Sequence, residues 1–406
     1  MKKVELLAPA GNMEKFKMAL HYGADAVFMG GKMFNLRAGS NNFSDEELEE
    51  AVAYAHERGK RVYITLNIIP HNDELEALPE YVKFLEKVGV DGVIVADLGV
   101  FQVVKENSNL NISISTQASN TNWRSVKMWK DMGAKRVVLA REISLENIKE
   151  IREKVPDIEL EVFVHGAMCM AVSGRCLLSN YFTSRDANRG ICAQDCRWNY
   201  KVIAEGHEEK GAHDIVEEQG ETFIFNAKDL CTIDFIDKVI ETGVDSLKIE
   251  GRMKSLYYTA LVTRAYRKRI DALFGKISPA EAEPFVKELY NTAHRAFGTG
   301  FYFSKDDANK TTRGESKSPY NMAGTIGKEL GNNRYEFISM NKITADMPLE
   351  YIGPDICAIE DRNYTLHDPE TGAARDWVCH GHPCLIRTEA PLRSGFIVRT
   401  RIGGAL

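Results

Sequence analysis

The sequence predicts an α/β fold: a (β/α)8 barrel of the TIM type with a cysteine-bearing insertion, followed by a small C-terminal all-β domain. Three observations carry this expectation. Short β-branched or apolar runs recur eight times, helix-like stretches fill most of the spaces between them, and the pattern changes character near residue 319. The runs are VELLAPAG (4–11), DAVFMGG (25–31), RVYITLN (61–67), GVIVAD (92–97), ISISTQ (112–117), RVVLARE (136–142), LEVFVHG (160–166) and SLKIEGR (246–252). Between them, NMEKFKMALHYGA, SDEELEEAVAYAHERG, LPEYVKFLEKVGV and SLENIKEIREKV begin on polar residues, and Gly precedes several of the next strands, as at helix ends. Strands alternating with helices make a parallel sheet, and eight repeats suit a closed barrel. A doubly wound open sheet is the alternative. Its dinucleotide-binding form carries G-x-G-x-x-G after the first strand, where this chain has PAGN.

Six of the seven gaps between runs suit a simple barrel, whereas the seventh and eighth are separated by the long segment 167–244. Such an insertion leaves the C-terminal face, where barrel active sites sit. Within it, YKVIAEG and ETFIFNA are expected to form a hairpin around the acidic segment 205–220, with a helix over 229–242. After the eighth run, KSLYYTALVTRAYRKRIDAL reads as a closing helix and SPAEAEPFVKELYNTAHRA as another. Residues 304–318, SKDDANKTTRGESKS, are charged and poor in apolar side chains, as a linker is. Beyond them AGTIGKEL, RYEFISM, PLEYIG and FIVRTRI read as strands of a small β-barrel or sandwich. The expected organisation is a barrel over 1–303, a linker over 304–318 and a β domain over 319–406.

Composition narrows the class. A chain of 406 residues, 44% hydrophobic and 27% charged, is that of an ordinary globular enzyme rather than a disordered or membrane-spanning protein. MKKVELLAPAGNMEKF lacks the apolar stretch of a signal peptide, so a cytoplasmic location is expected. A net charge of -6 argues that any nucleic-acid binding must come from a local patch.

Five of the eight cysteines, Cys169, Cys176, Cys192, Cys196 and Cys231, fall in the insertion, and the first four read C-x6-C-x15-C-x3-C. Cytosolic thiols stay reduced, so ligation of a soft metal centre is favoured over disulfides. A cubane cluster needs thiolates that converge from several directions, which a long connection can deliver; structural zinc usually starts from C-x2-C, which is absent. An iron–sulfur cluster is the leading expectation, with zinc and unligated thiols as alternatives. Cys357, Cys379 and Cys384 lie in the C-terminal domain, where CHGHPC looks like a metal tract but sits between β-like runs. These three are read as ordinary core or surface thiols.

Five segments in order, ELLAPAGN, STQAS with NTNW, EVFVHGAMCMAVSGRCLLS, NRGICAQDCRW and SLKIEGRMKS, resemble the collagenase-like peptidase family of formerly unassigned catalytic type. The resemblance spans residues 4 to 303. Its better understood members are prephenate-dependent tRNA uridine 5-hydroxylation proteins, with relatives in ribosomal RNA hydroxylation and oxygen-independent ubiquinone biosynthesis. It implies a barrel with an appended β domain, a [4Fe-4S] cluster, and hydroxylation of the wobble uridine of tRNA. It also implies Cys169, Cys176, Cys192 and Cys196 as ligands, with Cys231 as the alternate to Cys196.

Charge adds candidates for RNA. Arg175, Arg185, Arg189, Arg197 and Lys201 face only Asp186 and Asp195 between residues 175 and 201. The following helix adds Arg252, Lys254, Arg264, Arg267, Lys268 and Arg269, interleaved with Tyr257, Tyr258 and Tyr266. Such groups can hold phosphates and stack unpaired anticodon-loop bases, or they can simply solvate an outer helix. Arg252 and Lys254 follow the eighth run and are expected at the barrel mouth. The two carboxylates of prephenate call for guanidinium forks, which Arg141, Arg175 and Arg252 can offer. Asn67, Asp97, Gln117, Glu142, His165 and Glu250 also lie at strand ends; His165, Glu250 and Asp97 are the candidates for proton movement, and Gln117 and Lys254 for binding the co-substrate. His165 has a structural reading of equal weight.

A peptidase is the first alternative function. HERGK and HEEKGAH fail the H-E-x-x-H spacing, and no G-x-S-x-G elbow occurs. A noncatalytic RNA-binding or assembly factor with a structural cluster is the second. A paralogous subunit is a further expected partner, and no membrane partner is expected.

Overall fold

The computed structural model describes residues 3–35, 42–169, 171–189, 191–198, 216–218, 221–223, 227–304 and 317–402. Seven strands, β1 (Glu5–Pro9), β2 (Ala26–Met29), β3 (Arg61–Leu66), β4 (Gly92–Val95), β5 (Ile112–Ile114), β6 (Arg136–Val138) and β7 (Glu159–Ala167), pair parallel in sequence order. Three short strands follow, β8 (Val216–Glu218), β9 (Glu221–Phe223) and β10 (Asp229–Cys231), then β11 (Ser246–Ile249). Strand β11 pairs parallel with both β7 and β1, which closes an eight-stranded barrel from the eight expected runs.

Leu6, Leu7, Val27, Ile64, Val93, Ile114, Val137, Leu160 and Leu247 are fully buried, as a parallel sheet wrapped by helices requires. Those helices are α1 (Met13–His21), α2 (Asp45–His56), α3 (Asn72–Leu75), α4 (Leu78–Val88), α5 (Leu98–Asn107), α6 (Trp123–Met132) and α7 (Leu145–Lys154). Helix α2 opens on a reciprocal Ser44–Glu47 capping box. Helices α4 and α6 stop at Gly89 and Gly133, in the left-handed conformation that glycine adopts without strain.

The end of the barrel opposite the insertion holds a charged layer. Arg136, 3% exposed, donates to Glu5 at 2.7 Å, Glu161 at 2.8 Å and Glu159 at 2.7 Å. Lys248 bridges to the other oxygen of Glu161 at 2.8 Å, and Arg61 pairs with Glu5. Charges of both signs alternate, so no carboxylate of this layer is buried uncompensated.

Inside the insertion lie α8 (Leu178–Thr183) and α9 (Ile236–Glu241). The helix expected over 229–242 begins later, because residues 229–231 form β10 against β7. Strand β7 continues past its pairing with β6, which ends at Glu161, and β10 satisfies backbone groups left beyond that point. Residues 221–223, at the start of ETFIFNA, pair with 216–218, and YKVIAEG lies outside the described residues. Most of the linker, 305–316, also lies outside them.

Two compact units result. The first holds the barrel and its insertion together with residues 294–316; the second holds residues 21–23, 255–293 and the C-terminal region from 317. Helices α10 (Leu256–Leu273) and α11 (Pro279–Glu288) thus group with the C-terminal sheet, not with the barrel as a boundary at 303 implies. That sheet has eight antiparallel strands, with the long β12 (Tyr320–Gly331) paired to Arg334–Ser339 on one side and Ile397–Arg401 on the other. Buried polar bonds explain the grouping: Arg264 donates to the carbonyls of Gly353 and Ile356 at 2.7 and 2.9 Å, and Arg399 binds Glu288, Glu350 and the Tyr257 hydroxyl. Tyr257, Tyr258, Tyr266 and Arg264 are all buried. Buried as they are, these four are not presented for base stacking or phosphate binding, which corrects the RNA-facing reading for them. Among the described residues no helix is long and apolar enough to cross a membrane.

Candidate active site at the barrel mouth

Strand ends and the insertion meet over the β5–β7 side of the barrel. Arg141, just past β6, lies 3.9 Å above the Phe163 ring and donates to the Ala167 carbonyl at 2.5 Å. Glu142 accepts from the backbone N–H and hydroxyl of Ser173. Arg175 donates to the Gln117 carbonyl at 2.6 Å, and the Gln117 side-chain oxygen accepts from Asn67 at 2.8 Å and Ser115 at 3.3 Å. These bonds dock the segment between Cys169 and Cys176 onto the ends of β5 and β6.

The cysteines lie beside these groups. The Cys169 thiolate is within electrostatic reach of Cys176, Cys192 and Arg141, and that of Cys196 within reach of Cys169, Arg197, Cys192 and Arg295. Desolvation raises the Cys169 pKa, and burial pushes Cys196 up to about 11, with the neighbouring thiolates adding to both. At neutral pH both are therefore protonated in the bare protein, and metal ligation would release their protons. Backbone N–H groups of Leu178 and Gln194 donate to the sulfurs of Cys176 and Cys192, both at 3.3 Å, and the Asn188 side chain brackets the Cys176 peptide. Four thiols sharing one neighbourhood, with N–H donors aimed at two sulfurs and guanidinium groups alongside, form a donor set that fits an anionic thiolate-bound cluster. Cys231 is buried on β10, in register with His165. Among the described residues no three His, Cys, Asp or Glu side chains are grouped so that they could hold a metal ion as they stand.

The remaining candidates divide. His165 is 1% exposed, its ring 5.3 Å from Phe297, and burial lowers its pKa to about 3, against the opposing pull of Asp229. It is thus neutral through the physiological range. Lys254 lies within electrostatic reach of His165 and Asp229. Glu250 is half-buried, and its N–H donates to the His165 carbonyl at 2.8 Å. Gly166, at φ 117, permits this approach, since a Cβ there would lie 2.5 Å from the Glu250 carbonyl oxygen. Arg252, 4% exposed, reaches toward β2 and β3, donating to Asn35 and Thr65 at 3.2 Å and Asn42 at 2.9 Å. Gly30 makes room for it: a Cβ there would lie 2.6 Å from the guanidinium. Asp97 is engaged in capping α5 through Gly99 and Val100 at 2.8 and 3.1 Å. Lys201 lies outside the described residues, as does the side chain of Arg189.

Sequence reading missed the Asp229–Arg295 pair. Arg295 grips Asp229 through Nε and Nη2 at 2.9 and 2.7 Å and through its backbone N–H at 3.0 Å, with both side chains buried. It closes residues 294–303 onto the insertion, and Tyr302 anchors the same segment on the Phe163 carbonyl at 2.5 Å. No local pattern could reveal a pair separated by 66 residues.

Residues 11–312 match the model of peptidase family U32. The chain belongs to that family. Curated relatives of this U32 member include tRNA hydroxylation protein P1 of Bacillus subtilis, 43% identical over 87% of the chain and 85% of the relative. They also include tRNA hydroxylation protein P of Escherichia coli, 36% identical over 91% and 90%. A third, 23S rRNA 5-hydroxycytidine C2501 synthase of Escherichia coli, is 33% identical over 80% of the chain but 48% of its own length.

Proposed function

We propose that this U32 member is an iron–sulfur-dependent, prephenate-dependent tRNA hydroxylation enzyme that forms 5-hydroxyuridine at the wobble position. The observation that carries the reading is the set of four neighbouring thiols beside Arg141 at the mouth of a closed barrel, in a chain 43% identical to a tRNA hydroxylation protein. Cys169, Cys176, Cys192 and Cys196 would hold a [4Fe-4S] cluster. Cys196 lies within electrostatic reach of Cys169 and Cys192, and Cys231, buried on β10, is its alternate. When bound, the cluster would supply electron transfer or Lewis acidity at the mouth.

The chain's own groups divide the remaining work. Arg141 and Arg175 flank the cysteines, and with Arg252 on the opposite side they offer the planar forks that suit the two carboxylates of prephenate. Gln117 and Lys254 orient the co-substrate. Glu250 and Asp97 are the carboxylates for proton movement, while neutral His165 positions the end of β7. A wobble uridine sits in an unpaired loop, so no duplex has to open. Action on tRNA implies a cytoplasmic setting, and a paralogous subunit is a partner to be sought.

Anaerobic purification with iron and sulfide analysis tests the cluster. About four irons per chain are expected for a cubane, lost in Cys169→Ser and Cys196→Ser and retained in Cys231→Ser; a fully folded, metal-free wild type overturns the reading. Nucleoside analysis of tRNA from a deletion strain tests the substrate, with loss of 5-hydroxyuridine derivatives expected. Gelatin cleavage by metal-stripped protein would support the peptidase instead.

A further inference from the structure

The insertion carries an aromatic surface that none of the chemistry above uses. Tyr181, Phe182 and Trp198 are 83%, 46% and 45% exposed. They nevertheless form one contiguous group: the Tyr181 and Phe182 rings are 5.2 Å apart edge to face, and Phe182 and Trp198 are 6.5 Å apart. The first two come from α8, which begins two residues after Cys176, and the third follows Cys196 by two residues. Leu177 and Ile191 in the same insertion are also exposed. Contiguous apolar surface left in water marks an interaction site.

Charge identifies the partner. Residues 171–198 contain Arg175, Arg185, Arg189 and Arg197 against Asp186 and Asp195, and Asp195 is 1% exposed, on a chain whose net charge is -6. Arg185 donates to the Ile191 carbonyl at 2.9 Å, which orders it within the same insertion. Exposed rings interleaved with arginines are the combination that binds single-stranded nucleic acid, the rings stacking bases and the cations neutralising phosphates. Protein interfaces also enrich aromatic and arginine side chains; the RNA-hydroxylation reading and the local excess of positive charge on an acidic chain are what select nucleic acid.

We infer that Tyr181, Phe182 and Trp198 form a stacking platform for unpaired loop bases of the RNA, with Arg185 and Arg197 contacting the flanking phosphates. The inference rests on the RNA-hydroxylation reading and names the surface that recognises its substrate. It gives the insertion two roles, holding metal ligands on one set of residues and loop bases on another.

The test uses the full chain, purified anaerobically, and a fluorescent anticodon stem-loop RNA compared with the same sequence annealed to its complement. Wild type is expected to prefer the stem-loop. Phe182→Ala and Tyr181→Ala should each weaken its binding about tenfold, while Trp198→Phe keeps most of it. Arg197→Gln should lower the salt slope by about one. Iron content is measured for each variant, and Tyr181→Ala carries the test if a change nearer Cys196 loses metal. Ring variants that bind the stem-loop like wild type overturn the platform and leave the function intact. A wild type that binds no RNA overturns both. Normal RNA binding with altered self-association would make this face a protein interface and overturn the inference.

Discussion

Glu142 at the exit of β6 accepts hydrogen bonds from both the backbone N–H and the hydroxyl of Ser173, at 2.7 and 3.1 Å. Ser173 has φ 51, a left-handed conformation that a non-glycine residue keeps only when its surroundings hold it there. One carboxylate of the barrel thus fixes the loop between Cys169 and Cys176, and the Arg175 bond to Gln117 provides a second tether.

Removing the first tether should free the insertion without unfolding the barrel. Bonds to a charged acceptor are worth about 1.5–3 kcal/mol each. Glu142→Ala is therefore expected to speed proteolysis within 170–198, and iron loss to a chelator, by about tenfold or more. Glu142→Gln, which keeps one acceptor oxygen, should fall between. Limited proteolysis and chelator kinetics check both.

The charged layer gives a stability prediction. Arg136→Leu leaves Glu5 and Glu161 buried with part of their compensation gone, which should cost about 3–5 kcal/mol. Replacing Arg136 and Glu161 together by apolar residues should cost less than the single change. Urea unfolding at neutral pH measures the difference.

Stability should also fall in mild acid. Buried His165 has a pKa lowered to about 3 from an ordinary 6.5, so between these values the unfolded chain binds a proton that the folded chain does not. Its contribution is complete above about pH 6.5 and is lost progressively as pH falls toward 3. Asp229, whose pKa is lowered by Arg295 in spite of burial, adds a further loss once pH drops below the ordinary carboxylate range. His165→Phe is expected to flatten the urea midpoint between pH 6.5 and 4.5 relative to wild type.

Arg252 engages three side-chain oxygens on two strand exits. Lysine keeps the charge but not the fork. Under the prephenate-dependent function proposed above, Arg252→Lys should raise the KM for prephenate about tenfold with a smaller change in kcat, as steady-state turnover would show.

The barrel was legible because its signal is local. Strands such as GVIVAD and RVVLARE are buried on both faces, so their apolar runs stand out against the polar starts and glycine stops of the helices. Arg136 and Lys248 broke that pattern only as isolated charges, and their partners lie on other strands. Strand β10 was read as helix because Asp229–Cys231 takes its conformation from the exposed edge of β7, not from its own composition. The tyrosines of α10 were misjudged for a related reason: they are buried, and Tyr257 accepts from Arg399, 142 residues away.

Within the site, residue type pointed to a soft-ligand centre because the chain groups five thiols in one insertion, whereas the choice of Cys169, Cys176, Cys192 and Cys196 came from the family resemblance, and spacing alone left Cys196 and Cys231 open. Their surroundings were a tertiary matter. Asp229 meets Arg295, Glu142 meets Ser173, and Phe182 meets Trp198 only after the barrel closes and the insertion folds back across its mouth. Sequence determined the repeat, the closed-barrel class and the grouping of five thiols in one insertion through short-range periodicity and side-chain chemistry. Tertiary structure decided which charges are buried and which aromatic rings remain in water, since burial depends on partners that chain order does not place side by side.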